Sequence, residues 1–286
     1  MNPYHRLVSE FARLARDGRH HPLGGFTAHA RPVPTPDAPR ALIFSPHPDD
    51  ECIIGGLALR LMRESGMRVL NVAVTQGSKR ERQAGRLEEL KSACDYLGFG
   101  LIQTAPGGLE KINVNTRAQD PAHWQTSVDV IAAIIRDEQP AVVLFQHDAD
   151  WNSTHIGTHH LLMDALARQP SGFACDVVET EFWGAMATPN LMVELSIDDL
   201  AEMITALSFH VGEVQRNPYH LLVPSWMQDN VRRGAELVGG QGGAAPDFAF
   251  CTLYRLRRWR DAQLRTTYEG GRSLPASTNA AHVLTG

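Results

Sequence analysis

Apolar and polar positions alternate in blocks along the middle of the chain. Three short apolar runs, each bounded by polar or turn-forming residues, predict buried β-strands, and they lie at residues 41–44, 68–75 and 141–145. Apolar residues recur at helical spacing in the intervening segments, at residues 80–97 and 128–137. Strands that alternate with helices in this way predict an α/β fold, with a Rossmann-like, mostly parallel sheet and helices on both faces.

The second half of the chain continues the pattern more weakly. Further strands are predicted at residues 177–182 and 248–256, and further helices at residues 198–209 and 224–238. We therefore expect one large domain over residues 40–268, in which a C-terminal lobe completes the pocket. Residues 269–286 are expected to form a flexible tail.

A separate N-terminal segment precedes this domain. Residues 5–17 place Leu7, Phe11 and Leu14 at helical intervals, so we expect a helix that packs on the body through this stripe. Residues 31–39 are rich in proline and predict a stiff, extended connector. Residues 1–39 are thus assigned to an N-terminal helix and its connector.

Composition narrows the class of protein. The 286 residues include 27 basic and 32 acidic side chains, a net charge of -5, and no long basic run, which argues against a nucleic-acid partner. The four cysteines form no C-x-x-C pair, so neither a disulfide framework nor a thiolate zinc site is indicated. The sequence shows no secretory apolar region and no span long enough for a membrane, so we expect a cytoplasmic protein without a membrane partner.

The chemistry begins where the first predicted strand ends, at Ser45-Pro46-His47-Pro48-Asp49-Asp50-Glu51. The three acids could simply cap a helix and complement its dipole. Two prolines, however, hold His47 in a rigid, extended loop at the carboxyl end of a strand, where ligands bind in open α/β sheets. An imidazole and two adjacent carboxylates held there would repel without a cation. This stretch therefore predicts a divalent metal bound by His47 and one aspartate, with the other aspartate left as a base.

A second polar cluster, residues 146–160, follows the predicted strand at 141–145. Both clusters lie at the carboxyl ends of strands, so we expect them to converge on one crevice. A helix from His155 onward places His155 and His159 on one face, where they could chelate a metal. The pair lacks the glutamate of the H-E-x-x-H motif, and His159 alone is more typical of a buried core histidine.

The Pro-His-Pro-Asp-Asp-Glu stretch resembles the signature of the LmbE-like, or PIG-L, zinc-dependent deacetylases, which remove acetyl groups from amino sugars and related amides. The resemblance implies that His47 and Asp50 bind zinc and that Asp49 is the general base. It extends mainly over residues 40–165, marks residues 40–268 as an LmbE-like deacetylase domain, and implies that Arg86 in the helix at 80–97 contacts the substrate.

The family's second motif is His-Pro-Asp-His, with a further histidine four residues on. Asn152-Ser153-Thr154-His155 and His159 align with it in spacing, which implies that His155 is the third zinc ligand. The sequence departs from the motif at Asn152, where the family has a histidine that stabilises the oxyanion or acts as an acid. Either the Asn152 amide supplies this hydrogen bond, or His147 replaces the lost imidazole, or the site binds without catalysing.

These features together predict a metal-dependent amidohydrolase, an N-deacetylase acting on an N-acylated, sugar-like small molecule. The metal is expected to be Zn²⁺, with Fe²⁺ as the alternative, because histidine and carboxylate ligands suit both. Substrate-binding candidates are Arg86, Trp151 and His147. The alternative functions are an amidase of the same superfamily that cleaves a thiol conjugate or a larger acyl group, and a metal-bound carbohydrate-binding protein without turnover. The sequence leaves the oligomeric state open, a homo-oligomer included.

Overall fold

The protein is described here by a computed structural model, which covers residues 2–31 and 33–284. The α-helices within these ranges are α1 Pro3–Asp17, α2 Asp50–Ile54, α3 Gly56–Ser65, α4 Arg80–Leu97, α5 Val114–Gln119, α6 Pro121–Glu138, α7 Ser153–Leu166, α8 Ile197–Leu207, α9 Val211–Arg216 and α10 Val223–Leu237. The strands are β1 Arg40–Ser45, β2 Arg68–Ala73, β3 Gly100–Gln103, β4 Val142–Gln146, β5 Ala174–Thr180, β6 Leu191–Leu195, β7 Phe250–Arg260, β8 Gln263–Thr266 and β9 Arg272–Leu274. Short 3₁₀ helices occupy Gly18–His20, Tyr219–Leu221 and Ala280–Val283.

The nine strands of the described residues belong to one sheet with the order β3-β2-β1-β4-β5-β7-β6-β9, and β8 pairs with β7. The strands from β3 to β5 are parallel, whereas β7 runs antiparallel to both β5 and β6. The predicted α/β fold with a mostly parallel sheet is therefore confirmed. The part that we predicted as a C-terminal lobe consists of β6–β9, which extend this sheet, together with α8–α10.

Side chains alternate between the two faces of β1, and each face contributes to a separate apolar core. Ala41 and Ile43 pack with α3, α4 and α8 on one face, whereas Leu42 and Phe44 pack with α6 and α7 on the other. Burial on both faces explains why the central strands appear in the sequence as continuous apolar runs. No helix within the described ranges has the length and apolar character needed to cross a membrane.

The strand order changes direction at β1, which has β2 on one side and β4 on the other. In a doubly wound sheet, the connections that leave two such strands depart to opposite faces and open a crevice at their carboxyl ends. The loop after β1 contains His47 and Asp49, and the loop after β4 leads to His155. The topology therefore brings the two polar clusters of the sequence to one place, as predicted.

The N-terminal helix forms as α1, but the prediction that its apolar stripe packs on the body is wrong. The side chains of Leu7, Phe11 and Leu14 are 53%, 48% and 61% exposed. The segment that follows α1 makes the apolar contacts instead, because Leu23 packs against the core and the Phe26 ring lies 6.4 Å from that of Phe209.

The prediction of a flexible tail is also not met in the described residues after 268. Strand β9 pairs with β6, and Ala280 and Val283 of the last 3₁₀ helix are buried. The buried Arg60 fixes this segment, since its guanidinium donates hydrogen bonds to the carbonyl oxygens of Pro275 at 3.0 Å and Thr278 at 2.7 Å. Residues 285 and 286 of the predicted tail lie outside the described residues.

Candidate active site

The loop between β1 and α2 folds back on itself through the side chain of Asp50. Asp50 is the first residue of α2, and its Oδ2 accepts a hydrogen bond from the backbone N–H of His47 at 2.8 Å. This contact holds the imidazole of His47 and the carboxylate of Asp50 on the same side of the loop. His155 reaches them from the first turn of α7, where its ring is fully buried.

His47, Asp50 and His155 present three potential ligand atoms to one point. His47 Nδ1 lies 3.2 Å from His155 Nε2 and 3.7 Å from Asp50 Oδ2, and His155 Nε2 lies 3.6 Å from Asp50 Oδ1. Two ligands about 2.1 Å from an ion and at a tetrahedral angle would be about 3.4 Å apart. Asp50 Oδ1 is buried without a hydrogen-bond partner in the described part of the chain, so a cation would also satisfy an isolated carboxylate oxygen. The geometry therefore fits a metal site.

The charges around this point favour a cation as well. Burial alone would raise the pKa of the Asp50 carboxyl, but His155 and His47 outweigh burial and lower it, so the carboxylate stays ionised. Burial would lower the pKa of His155, but the carboxylates of Asp50 and Asp150 outweigh it and raise the pKa. A divalent ion would take the place of this proton between the two side chains.

In a second group of potential ligands, Glu51, Cys52 and His210, the atoms that face one another are already paired within the protein. His210 Nε2 lies 2.7 Å from Glu51 Oε1, and the Cys52 thiol donates to the same oxygen at 3.2 Å. Burial raises the pKa of the Cys52 thiol, so the thiolate that a metal would require is disfavoured. This cluster supports the catalytic loop instead, because Glu51 Oε2 accepts a hydrogen bond from the backbone N–H of Asp49.

Asp150 supports His155 from behind, a role that the sequence did not reveal. Its Oδ1 lies 3.5 Å from His155 Nδ1, on the side of the ring away from the other two ligands. The same carboxylate accepts hydrogen bonds from the backbone N–H groups of Asn152, Trp183 and Gly184. A carboxylate behind a metal-binding histidine fixes the orientation of the ring and increases its basicity.

Asp150→Asn is expected to weaken zinc binding by about 10- to 100-fold, the usual cost of losing such a supporting carboxylate. The affinity can be measured by titration against a competing chelator. Asp148→Asn is the matched control, because Asp148 lies in the same loop but pairs with Arg255 instead of a ligand. Equal zinc affinities for the two variants would show that Asp150 only organises the loop.

Asp49 is held in an unusual conformation beside the ligands. Its backbone φ is 120°, which a non-glycine residue rarely adopts and which costs on the order of 1–3 kcal/mol. Its Oδ2 accepts a hydrogen bond from the hydroxyl of Tyr219 at 2.6 Å. Burial, followed by the charge of Asp50, raises the pKa of Asp49 to about 7, near the value that suits a general base. Strain and a shifted pKa at one carboxylate are typical of a functional residue.

Arg86 braces the loop that contains this carboxylate. Its guanidinium donates a hydrogen bond to the carbonyl oxygen of Pro48 at 2.7 Å and lies 3.6 Å from Asp49 Oδ2. Its other close carboxylate is Glu213, at 3.7 Å. The predicted contact between Arg86 and the substrate stays a prediction, and the structure adds a positioning contact that the sequence did not suggest.

The three remaining candidates lie in or near the loop before α7. Asn152 is the N-cap of α7, because its Oδ1 accepts a hydrogen bond from the backbone N–H of Thr154 at 2.8 Å. The backbone engages both ring nitrogens of His147: Nε2 lies 2.8 Å from the Gly184 carbonyl oxygen, and Nδ1 accepts a hydrogen bond from the backbone N–H of Ala149. Such a ring cannot turn toward the ligands without breaking both contacts, which argues against its replacing the lost imidazole. The predicted contact between His147 and the substrate stays a prediction. The Trp151 side chain is 82% exposed.

A polar cavity of about 340 Å³ opens beside His47. It lies between the loop after β2, the first turn of α7 and the segment 109–113, and its polar lining includes Thr75, Ser78, Gln83, Glu110, Asn113 and Thr154. The charged side chains of Arg80 and Lys111 also line it. The hydroxyl and amide groups in this lining match the hydroxyl groups of a polar small molecule.

Comparisons with known proteins agree with this geometry. A model of the family described as PIG-L: GlcNAc-PI de-N-acetylase matches residues 42–166. Over 157 residues the chain is 29% identical to the 1D-myo-inositol 2-acetamido-2-deoxy-alpha-D-glucopyranoside deacetylase of Thermobifida fusca. That alignment covers 45% of this chain and 54% of the other protein, so the chain spans about half the length of this curated relative.

Solved structures show the same fold at low identity. The N,N'-diacetylchitobiose deacetylase of Pyrococcus horikoshii gives a TM-score of 0.55 at 17% identity, over 87% of this chain and 92% of that one. The 4-carboxy-2-hydroxymuconate hydratase of Pseudomonas putida also gives 0.55, at 19% identity, over 76% and 95% of the two chains. A deacetylase and a hydratase are thus equally similar in fold, so the site and not the fold must identify the reaction.

Proposed function

We propose, from the match of residues 42–166 to the PIG-L family model, that the chain is a metal-dependent N-deacetylase of an amino sugar or a related small molecule. The observation that supports the proposal most directly is the convergence of His47, Asp50 and His155 on one point, with the strained Asp49 carboxylate beside them. A site of three protein ligands leaves a coordination position open, as catalysis requires.

His47, Asp50 and His155 would hold the metal. We propose Zn²⁺, with Fe²⁺ as the alternative that the same ligands allow. Bound there, the ion supplies Lewis-acid chemistry, since it polarises the scissile carbonyl and favours the loss of a proton from water. Asp150 would keep the ring of His155 in the orientation that binding requires, through its contact with Nδ1.

Asp49 would be the proton shuttle of the reaction. Its carboxylate accepts a proton when water adds to the amide carbonyl, and it returns that proton to the nitrogen as the C–N bond breaks, giving a carboxylic acid and a free amine. The hydroxyl of Tyr219 donates to Oδ2, which fixes the plane of the carboxylate, and Arg86 secures the loop before it. Burial keeps bulk water away from this carboxylate.

Asn152 would supply the hydrogen bond to the developing oxyanion in place of the family's histidine. Its side-chain oxygen caps α7, and the same side chain still offers N–H donors. Asn152→Asp keeps a capping oxygen but removes the donors, whereas Asn152→Ala removes both. We expect both variants to lower kcat by about 10²- to 10³-fold with unchanged metal content, the usual cost of one oxyanion donor.

Parallel measurements of kcat and thermal stability separate this role from helix capping. If Asn152 were only a cap, Asn152→Asp would be fully active, and Asn152→Ala would lose about 1 kcal/mol of stability without a change in kcat. His147→Ala serves as the comparison at the rival residue. A large loss of kcat in His147→Ala alone would mean that the imidazole acts from that position after all.

The polar cavity next to His47 would receive the sugar part of the substrate. Its hydroxyl and amide lining suits a hydroxyl-rich group, and Arg86 and the exposed Trp151 are our candidates for further substrate contacts. Trp151 could stack on the apolar face of a sugar ring, as aromatic side chains at binding sites do.

A panel of N-acetylated sugars tests the proposal. The zinc-loaded protein is incubated with N-acetylglucosamine, N,N'-diacetylchitobiose and N-acetylglucosaminyl inositol, and acetate and free amine are both measured. Equimolar release of acetate and amine from any of them supports the deacetylase. Cleavage of thiol conjugates or larger acyl amides alone would favour the amidase alternative, and saturable binding without product would mean a carbohydrate-binding protein.

A further inference from the structure

A second cavity lies beside the metal site and differs sharply in character from the first. It has a volume of about 260 Å³, and its walls are almost entirely apolar, formed mainly by Ile53, Phe182, Trp183, Tyr219, Leu222 and Trp226. Its only ionisable side chain among these residues is Tyr219, whose hydroxyl is already bound to Asp49. The cavity therefore offers contact area to an apolar group and no partner for a charge.

One layer of side chains separates this apolar cavity from the reacting groups. The ring of Phe182 stands edge-on to that of His155, with the ring centroids 5.1 Å apart. Tyr219 lines the cavity with its ring while its hydroxyl touches the Asp49 carboxylate. An apolar group in this cavity would thus pack against the side chains that contact His155 and Asp49.

Large apolar side chains remain exposed around the mouth of the cavity. The side chains of Trp183 and Leu222 are 45% and 58% exposed. Asp150 accepts hydrogen bonds from the N–H groups of both Asn152 and Trp183, so it ties the loop of the exposed Trp151 to the loop of Trp183. Exposed apolar side chains grouped at a cavity mouth are typical of a binding site.

The two cavities have no lining residue in common, although both border the same centre. The polar cavity contains His47 in its wall, and two wall residues of the apolar cavity, Phe182 and Tyr219, contact His155 and Asp49. An amide has two sides, the acyl group and the amine. If the hydroxyl-rich amine part occupies the polar cavity, the acyl group is the part that faces the apolar one.

We infer that the apolar cavity receives the acyl group of the substrate and that the chain prefers amino sugars with an N-acyl chain longer than acetyl. This inference rests on the proposed function and specifies its substrate class. A volume of about 260 Å³ has room for roughly eight groups of about 30 Å³, the share of one water molecule, so a chain of several carbons fits. An acetyl methyl alone would leave most of the cavity unfilled.

A series of acyl chain lengths tests the inference. The zinc-loaded protein is supplied with N-acetyl-, N-butanoyl-, N-hexanoyl- and N-octanoylglucosamine, and the release of glucosamine gives kcat/KM. Each added methylene is expected to raise kcat/KM by up to about fourfold until the cavity is full, the equivalent of about 0.8 kcal/mol for each buried methylene. A flat or falling series would overturn the inference.

Variants of the cavity wall show whether this cavity is responsible. Trp226→Ala and Leu222→Ser are expected to lower the ratio of kcat/KM for octanoyl over acetyl by at least about tenfold, because each removes apolar contact area. Leu237→Ser is the matched control, since Leu237 lies on the same helix α10, is 42% exposed and is not among the residues lining the cavity. An equal change of the ratio in Leu237→Ser would contradict the assignment.

The possible results separate this inference from the proposed function. Hydrolysis of N-acetylglucosamine with no gain from longer chains would retain the deacetylase and overturn the apolar acyl site. An octyl glycoside of N-acetylglucosamine carries its apolar chain on the sugar part instead of the acyl part. A higher kcat/KM for this glycoside, with none for the N-octanoyl compound, would mean that the cavity binds the amine part of the substrate, against the inference. If no compound is hydrolysed, the proposed function fails. Tryptophan-fluorescence titrations then test the acyl site independently of turnover, because equal dissociation constants for N-octanoyl- and N-acetylglucosamine would overturn it.

Discussion

His155→Ala should leave a folded chain that no longer retains the metal. His155 is the ligand from the second loop, and without its Nε2 the remaining two side chains come from a single short loop. We expect metal content to fall from about one equivalent to a small fraction and amide hydrolysis to fall on the order of 10³-fold or more, because the several kcal/mol of Lewis-acid stabilisation is lost. Elemental analysis and the acetate assay measure the two effects.

His47→Ala should give the same result from the other loop. His160→Ala is the control for the loss of a histidine from α7, since His160 lies on the same helix but makes no contact with the two other ligands in the described structure. It should keep both metal and activity. A full equivalent of metal in His47→Ala or His155→Ala would mean that the ligands have been assigned wrongly.

Asp49→Asn should be inactive while keeping its metal. Asparagine tolerates an unusual backbone φ better than most residues and can still accept the hydrogen bond from Tyr219, so the fold should be preserved. It cannot accept the proton from water, and we expect kcat to fall by about 10²- to 10⁴-fold. Rates, metal content and unfolding temperature should be measured on the same preparation.

Asp50→Asn is the natural comparison, because the two aspartates are neighbours with different roles. Loss of the Asp50 charge should weaken metal binding, and added zinc should restore part of the activity. Added zinc should not restore Asp49→Asn. If Asp49→Asn instead turned over substrate normally, Asp49 would have only a structural role, through its hydrogen bond with Tyr219 at the start of α2.

The sequence predicted the sheet well because burial on both faces leaves a strong local pattern. The strands β1, β2 and β4 and the helix α4 lie within a few residues of their predicted positions. The stripe of α1 follows the same rule of spacing, yet it is exposed. Spacing reveals that a helix is amphipathic, but it does not reveal whether another surface is available to cover it.

The sequence predicted only those site residues that belong to short motifs. His47, Asp50 and His155 come from two compact stretches, and the topology of the sheet joins them. The contact between Tyr219 and Asp49 connects residues 170 positions apart, and no local pattern signals it. His147 lies in the loop that leads to His155, which made it a candidate for the site. The sequence could not show that the backbone engages both of its ring nitrogens.

The proposed activity is the hydrolysis of an N-acyl amide with one metal ion held by His47, Asp50 and His155. It is tested most directly by removing metal with a chelator and titrating Zn²⁺ back while the release of free amine from an N-acylated glucosamine is followed. Hydrolysis should vanish on removal and return in proportion to added zinc up to one ion per chain, and His155→Ala should show no such return. Hydrolysis that persists without metal, or that does not return at any zinc concentration, would contradict the account.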